Sequence, residues 1–173
     1  MKSPTLQAAL FLTVSATIIF LQLLPLELKA DAQIWPDLLF CTAAAWVLRR
    51  PDATPALLLV ATFLAADFIL SRPPGLWAFL ALMATEFLRV QSRGHHDRPF
   101  LIEWLTFAAL FGLMLFAQSL ILTLALVPGP SAGTMLTLYL ITTGLYPMVA
   151  FTLYAAFRVR APRAQARRIG GVA

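Results

Sequence analysis

Long apolar runs separated by short polar or proline-rich stretches dominate the chain. A helix needs about 20 apolar residues to cross the hydrocarbon core of a bilayer, and fewer where its flanking side chains reach the interface. Six runs qualify, although the second is only marginally long enough. The pattern therefore predicts six transmembrane helices, at about residues 6–24, 35–48, 55–70, 75–90, 100–127 and 133–157.

Proline, glycine and polar residues mark the breaks between these runs. Pro51 and Pro55 bound a predicted tight turn, because proline suits the first turn of a helix and breaks its interior. The segment 71–75 contains two prolines and a glycine, so the chain must reverse there. The polar stretch 91–99 is predicted to be a loop. In the last helix, Pro147 predicts a kink.

The composition identifies lipid as the solvent of this fold. Hydrophobic residues make up 60% of the 173 positions and charged residues only 12%, against about a quarter charged in soluble domains. A small soluble domain cannot hide so much apolar surface. We therefore expect an all-α integral membrane protein with one compact bundle, residues 1–157, and a basic tail, residues 158–173.

The basic residues predict the orientation of this bundle. With the amino terminus inside, only Lys29 and Arg72 lie on the outer side. The other eleven of the thirteen lie inside: Lys2, Arg49, Arg50, Arg89, Arg93, Arg98, Arg158, Arg160, Arg163, Arg167 and Arg168. This asymmetry predicts that both termini are cytoplasmic. It also explains the net charge of +5 without nucleic acid, since anionic lipids attract a basic tail.

The tryptophans are consistent with the same orientation. Trp35 and Trp77 would lie near the outer interface. Trp46 and Trp104 would lie near the inner one, as in the aromatic belts of membrane proteins.

A cleaved signal peptide is the alternative interpretation of the first apolar run. Residues 30–32 read Ala-Asp-Ala, which fits an A-x-A cleavage site. The run is longer than a usual signal core, however, and Glu27 and Lys29 lie just before the site. These features favour a retained helix.

Asp67 is the most informative ionisable residue. A charge at bilayer depth costs at least about 2.5 kcal/mol, and Asp67 lies at the carboxyl end of its helix, where the helix dipole disfavours an anion. We predict that it pairs with Arg72 and, through it or a water, approaches Asp37. Asp37 itself begins the second helix, where a carboxylate complements the dipole. The alternative for Asp67 is hydration at the interface.

Other polar side chains are interpreted as structural anchors. Glu86 and Arg89 are three residues apart on one helix and can form a pair. Glu103 begins the fifth helix, at a favourable dipole position. Gln118 and Ser119 lie in mid-membrane and should form interhelical hydrogen bonds, with a polar substrate contact as the alternative.

The sequence offers no catalytic or cofactor motif. His95 and His96 are adjacent but have no further ligands at a metal-binding spacing, so a solvated turn is expected. Cys41 is the single cysteine, which excludes an intrachain disulfide. Nucleophile elbows, phosphate-binding loops and zinc-protease motifs do not occur. We expect no enzymatic activity and no cofactor.

Four short signatures, spread over most of the chain, match those of one family. They are Trp35-Pro36-Asp37-Leu38-Leu39 at the second helix, Ala65-Ala66-Asp67 at the third, Pro74-Gly75 at the fourth and Tyr146-Pro147 in the last. With the chain length and the short helices, this pattern resembles the bacterial rod shape-determining protein MreD family. That family has a glycine shortly before the aspartate of the third helix, where alanines stand here.

The resemblance implies a non-enzymatic scaffold of the cell-elongation complex in the bacterial inner membrane. Its partners would be MreC, which has a single transmembrane helix, the cytoskeletal protein MreB, the synthase RodA and its penicillin-binding transpeptidase. The residues carried over are Pro36, Asp37, Asp67, Pro74, Gly75 and Pro147. The resemblance also implies a bundle similar to the substrate-binding subunits of vitamin transporters.

A small-molecule transporter subunit is therefore the second hypothesis, and a membrane enzyme the third. A binding subunit should contain a polar or aromatic cavity near the outer face. A scaffold should present apolar grooves open to lipid.

Overall fold

The computed structural model describes residues 4–24, 35–94 and 99–157, and these residues are helical apart from short connections. The six α-helices are α1 (Pro4–Leu23), α2 (Leu38–Arg49), α3 (Ala56–Ile69), α4 (Leu76–Gly94), α5 (Phe100–Leu124) and α6 (Ala132–Phe157). A short 3₁₀ turn, Pro51–Ala53, joins α2 to α3. The prediction of an all-helical chain with six helices is thus confirmed for the described residues. Three helices are long and apolar enough to cross a membrane: Thr5–Leu23, Phe100–Leu124 and Ala132–Ala155.

Three predicted boundaries were wrong, and one of them is the start of α2, which lies at Leu38 instead of residue 35. The polar residues 91–94 continue α4 instead of forming a loop, and the Ser92 hydroxyl bonds to the carbonyl of Arg89. The end of α5 was also predicted wrongly: the helix ends at Leu124, although the apolar run continues to Val127. Leu126 has a φ of 54° there, and Val127 N–H donates to the Leu122 carbonyl. This left-handed turn satisfies the last carbonyls and ends the helix.

The shortest helix, α2, lies at the centre of the bundle. It packs against α1, α4 and α6, and its residues Leu39–Val47 are all buried. Its 12 residues span about 18 Å, which is less than the roughly 30 Å thickness of a bilayer core. Side chains of neighbouring helices meet both ends of α2.

Stacked aromatic rings fill the space between α2, α5 and α6. The rings of Phe107 and Tyr146 are 4.0 Å apart, and Phe40 stacks on Phe107 at 5.4 Å and on Phe111 at 5.8 Å. All four side chains are fully buried. Such rings contribute large buried areas, so this stack fixes α5 and α6 against the central helix.

Two of the tryptophans assigned to interfacial belts are buried between helices and do not face outward. Trp46 is fully buried and Trp77 is 5% exposed. Trp46 packs edge-on against Phe11 of α1, and Trp77 packs edge-on against Phe111 of α5. Both are core residues, because their large rings fill the gaps where helices cross.

Three sequence-based predictions lie outside the described residues. They are the cleavage site at 30–32, the His95–His96 turn and the basic tail at 158–173.

Candidate functional site

The first polar junction lies where α2 begins. The Asp37 carboxylate accepts a hydrogen bond of 2.8 Å from Phe40 N–H, so Asp37 is the N-cap of α2. The Asp37 N–H donates to the Thr142 hydroxyl at 3.1 Å. The favourable dipole position predicted for Asp37 is confirmed, although α2 begins three residues later than expected. The contact with Thr142 additionally ties α2 to the middle of α6.

Asp67 caps a helix other than its own. It is fully buried, and its Oδ2 atom accepts hydrogen bonds from Gly75 N–H and Ala78 N–H, each 3.1 Å long. Gly75 directly precedes α4 and Ala78 lies in its first turn, where free N–H groups and the positive dipole end favour an anion. A carboxylate unfavourable at the end of α3 is therefore stabilised by the start of α4.

The turn between α3 and α4 makes this contact possible. Ser71 has a φ of 53°, and Arg72 N–H donates to the Asp67 carbonyl at 2.9 Å, which is the pattern of a Schellman turn. Pro73 and Pro74 then prevent continuation of the helix. Gly75, with a φ of 84°, directs the chain into α4. The predicted reversal at 71–75 is confirmed.

The predicted ion pair between Asp67 and Arg72 was wrong. Arg72 Nη1 lies 3.7 Å from Asp37 Oδ2, and its guanidinium lies 5.9 Å from the centre of the Trp77 ring. The Asp67 carboxylate instead accepts hydrogen bonds from backbone N–H groups. It is still close enough to Arg72 and Asp37 to interact with both charges through space. The proximity of the three charged residues, which joins α2, α3 and α4, agrees with the prediction.

Gly75→Ala is expected to lower the free energy of unfolding by about 1 to 2 kcal/mol, because a left-handed φ is unfavourable for a residue with a Cβ atom. A Cβ at Gly75 would meet no atom within 4 Å, so the cost comes from the backbone alone. Gly144→Ala is the matched control, since that position is equally open but lies inside α6. It should be neutral or stabilising. Equal thermal stability of the two purified variants would contradict this prediction.

The second polar junction lies at the other end of α2. Arg49 Nη2 is 2.9 Å from Glu103 Oε1, and the Tyr146 hydroxyl donates to the same oxygen at 2.6 Å. Arg49 Nη1 also donates to the Ala45 carbonyl at 2.9 Å. Glu103 lies in the first turn of α5 as predicted. Its partners, which join α2, α5 and α6, were not predicted.

Pro147 creates a free carbonyl that α5 uses. Proline has no N–H, so the carbonyl of Thr143, four residues earlier, lacks its helical donor. Trp104 Nε1 donates to this carbonyl at 2.9 Å. The chain stays in one helix, α6, through Pro147. The proline thus supplies an acceptor that fixes the position of α5.

We expect Trp104→Phe to cost about 1 kcal/mol more in the natural chain than in a Pro147→Ala background, because alanine returns an N–H to the Thr143 carbonyl. The loss of ring volume is the same in both backgrounds and cancels in the difference. Thermal unfolding of the four purified proteins measures this coupling. Equal costs of Trp104→Phe in the two backgrounds would show that the hydrogen bond does not contribute.

The predicted pair of Glu86 and Arg89 is confirmed, with 3.0 Å between Arg89 Nε and Glu86 Oε1. Arg89 is nevertheless only 8% exposed. Its guanidinium also donates to the carbonyls of Pro51, at 2.6 Å, and Thr54. It therefore anchors the connection between α2 and α3 to α4, a contact that the helical spacing alone did not indicate.

An open cavity of about 370 Å³ lies beside the first junction. Its lining comes from the end of α1, the start of α2, the α3–α4 turn, and α4, α5 and α6. Its polar and aromatic lining residues are Gln22, Trp35, Asp37, Arg72, Trp77, Gln118 and Thr134. Gln118 lines this cavity, but among the described residues neither Gln118 nor the Ser119 side chain forms the interhelical hydrogen bond that was predicted.

The arrangement of charges at both junctions serves to hold helices together. Each carboxylate contacts backbone N–H groups, a guanidinium or a phenol, although the buried Oδ1 atom of Asp67 has no hydrogen-bond partner among the described residues. Within the described residues, no three His, Cys, Asp or Glu side chains are grouped as metal ligands. Comparison of the chain with protein-family models, curated proteins and solved structures finds no match.

Proposed function

We propose that all six helices cross the bacterial inner membrane, with both termini in the cytoplasm. Support comes from α1, α5 and α6, which are long enough to span. For the shorter α2, support comes from the two junctions, since backbone polar groups at membrane depth need partners within the protein. Thr142 and Arg72 meet one end of α2, and Glu103 meets Arg49 at the other.

We further propose that the protein is a non-enzymatic scaffold of the MreD type. It would bind MreC and connect peptidoglycan synthesis by RodA and its penicillin-binding transpeptidase to MreB. The observation that carries this proposal is the convergence of Asp37, Asp67 and Gly75. They belong to three separate signatures of the resemblance, yet they meet in one junction whose hydrogen bonds are structural.

The outer surface of the bundle supports recognition through helix faces. On α5 and α6, large apolar side chains such as Leu113, Phe116 and Phe151 are each more than 60% exposed. Helices in lipid associate through packing and interhelical hydrogen bonds. A partner with its own transmembrane helix would fit such a surface.

Gentle detergent purification of the tagged protein from its native membrane tests the scaffold. We expect stoichiometric recovery of a partner with a single transmembrane helix. Leu113→Ala and Phe116→Ala on α5 should reduce this recovery if the partner binds that face of the helix. Leu57→Ala is the matched control, because Leu57 is also a large and exposed apolar residue but lies on another helix, α3. Recovery of an ATPase module, or of no membrane partner, would contradict the scaffold.

The cavity supports a second candidate, the substrate-binding subunit of a small-molecule transporter. Its two tryptophans and its charged and amide side chains are the lining expected of a ligand pocket. Co-purification of an ATPase module would favour this function over the scaffold.

A further inference from the structure

Arg72 is the more exposed of the two charged residues that line the cavity among the described residues. The Arg72 side chain is 35% exposed, whereas the Asp37 side chain is 5% exposed and Asp67 is fully buried. Both carboxylates are engaged at helix amino termini, Asp37 at α2 and Asp67 at α4. Of the ionic groups that the structure describes at this cavity, the guanidinium is therefore the one most available to an occupant.

Arg72 also has unused hydrogen-bond donors. A guanidinium carries five N–H donors, and the distance of 3.7 Å to Asp37 is longer than a hydrogen bond. Trp77 holds the guanidinium by its ring face and offers no acceptor atom. Among the described residues, this guanidinium forms no hydrogen bond. An occupant with several acceptor oxygens would satisfy it.

The other residues that line the cavity indicate the chemical groups that a ligand would carry. Gln22, Gln118 and Thr134 offer neutral hydrogen-bonding groups, which suit hydroxyls or ester oxygens. Leu115 and Leu138 form part of an apolar wall. A cavity of about 370 Å³ lies within the usual range of ligand sites.

We infer that this cavity binds a phosphate ester, with the phosphate oxygens on Arg72. Guanidinium groups bind phosphate through paired, charge-assisted hydrogen bonds. The bound phosphate belongs either to the head group of an anionic phospholipid, whose acyl chains would lie along the apolar wall, or to a soluble phosphate ester. This site is independent of the scaffold proposal.

The test measures lipid binding to the purified, delipidated full-length protein by native mass spectrometry. Phosphatidylglycerol is compared with a neutral galactolipid that has no phosphate, and soluble glycerol 3-phosphate is added as a competitor. We expect selective binding of phosphatidylglycerol. Competition by glycerol 3-phosphate would identify soluble phosphate esters as ligands, whereas its failure to compete would identify the lipid. Both outcomes support the phosphate site, and equal binding of the two lipids would overturn it.

Two substitutions with opposite expected effects separate ligand binding from stability. Arg72→Gln should weaken phosphatidylglycerol binding about tenfold, because it removes the charged donor. Asp37→Asn should strengthen binding, because asparagine still caps α2 while the competing charge is lost. Arg50→Gln, which removes a charge at the other end of α2, is the control. Weaker binding in Asp37→Asn, or equal binding in Arg72→Gln and Arg50→Gln, would contradict the site.

Discussion

Replacement of Asp67 by alanine is expected to lower the free energy of unfolding by about 3 kcal/mol, because it removes the only described acceptor of one buried and one partly buried N–H group and leaves a gap. Gly75 N–H and Ala78 N–H lose their partner, and the positive end of α4 loses its counter-charge. Thermal unfolding of the detergent-purified protein and its abundance in membranes both measure this effect.

Two further variants define what Asp67 contributes. Asp67→Asn keeps an acceptor oxygen and loses the charge, so its stability should be intermediate. Asp52→Ala is the matched control, since Asp52 is exposed in the 3₁₀ turn; it should change stability by no more than about 0.5 kcal/mol. If Asp67→Ala is as stable as Asp52→Ala, the cap on α4 is not important for the fold.

Glu103→Ala is expected to cost about 3 kcal/mol, because it leaves the Arg49 guanidinium and the Tyr146 hydroxyl without their shared acceptor. Tyr146→Phe should cost about 1 kcal/mol, since it removes one hydrogen bond and keeps the ring stack. The double variant Glu103→Ala with Tyr146→Phe should cost less than the sum of the two. Thermal unfolding of the four proteins gives this coupling.

A compensating variant provides the control for Glu103. Replacing Arg49 and Glu103 together by methionine removes both charges and fills the space, so it should be more stable than Glu103→Ala. Strictly additive costs in the double-mutant cycle, or a methionine pair less stable than Glu103→Ala, would exclude the second junction as a coupled unit.

Much of the helical pattern could be predicted because it depends on local signals. The apolar runs and the prolines located six helices to within a few residues, and the 71–75 reversal was recognised by its two prolines and glycine. The N-cap at Asp37 and the pair of Glu86 and Arg89 follow from spacing within one helix. Each of these features involves neighbours in sequence.

The partners at the junctions could not be predicted because they depend on packing. Asp67 was recognised as a residue that needs a partner, but its partners are backbone groups, which have no signature in the sequence. Thr142 and Tyr146 meet residues more than 40 positions away. Trp46 and Trp77 were misplaced because the same ring suits an interface or a core. Only the order of helices in space separates these possibilities.

The central helix α2 is too short to reach both head-group layers, and it is buried along most of its length. Polar side chains from four other helices therefore meet its ends or stabilise the turn beside it. The residues that carry the resemblance lie at one of these ends, where their loss would affect several helices together.

Cysteine labelling is the most direct test of whether the short helices cross the membrane. The natural Cys41 is buried, so introduced cysteines can be read against a low background. Asp52→Cys and Pro128→Cys place a thiol at the exposed α2–α3 and α5–α6 connections. The six-span account predicts that an impermeant maleimide labels Asp52→Cys only from the cytoplasmic side and Pro128→Cys only from the opposite side. Labelling of both from the same side, or no labelling of Asp52→Cys from either side, would contradict it.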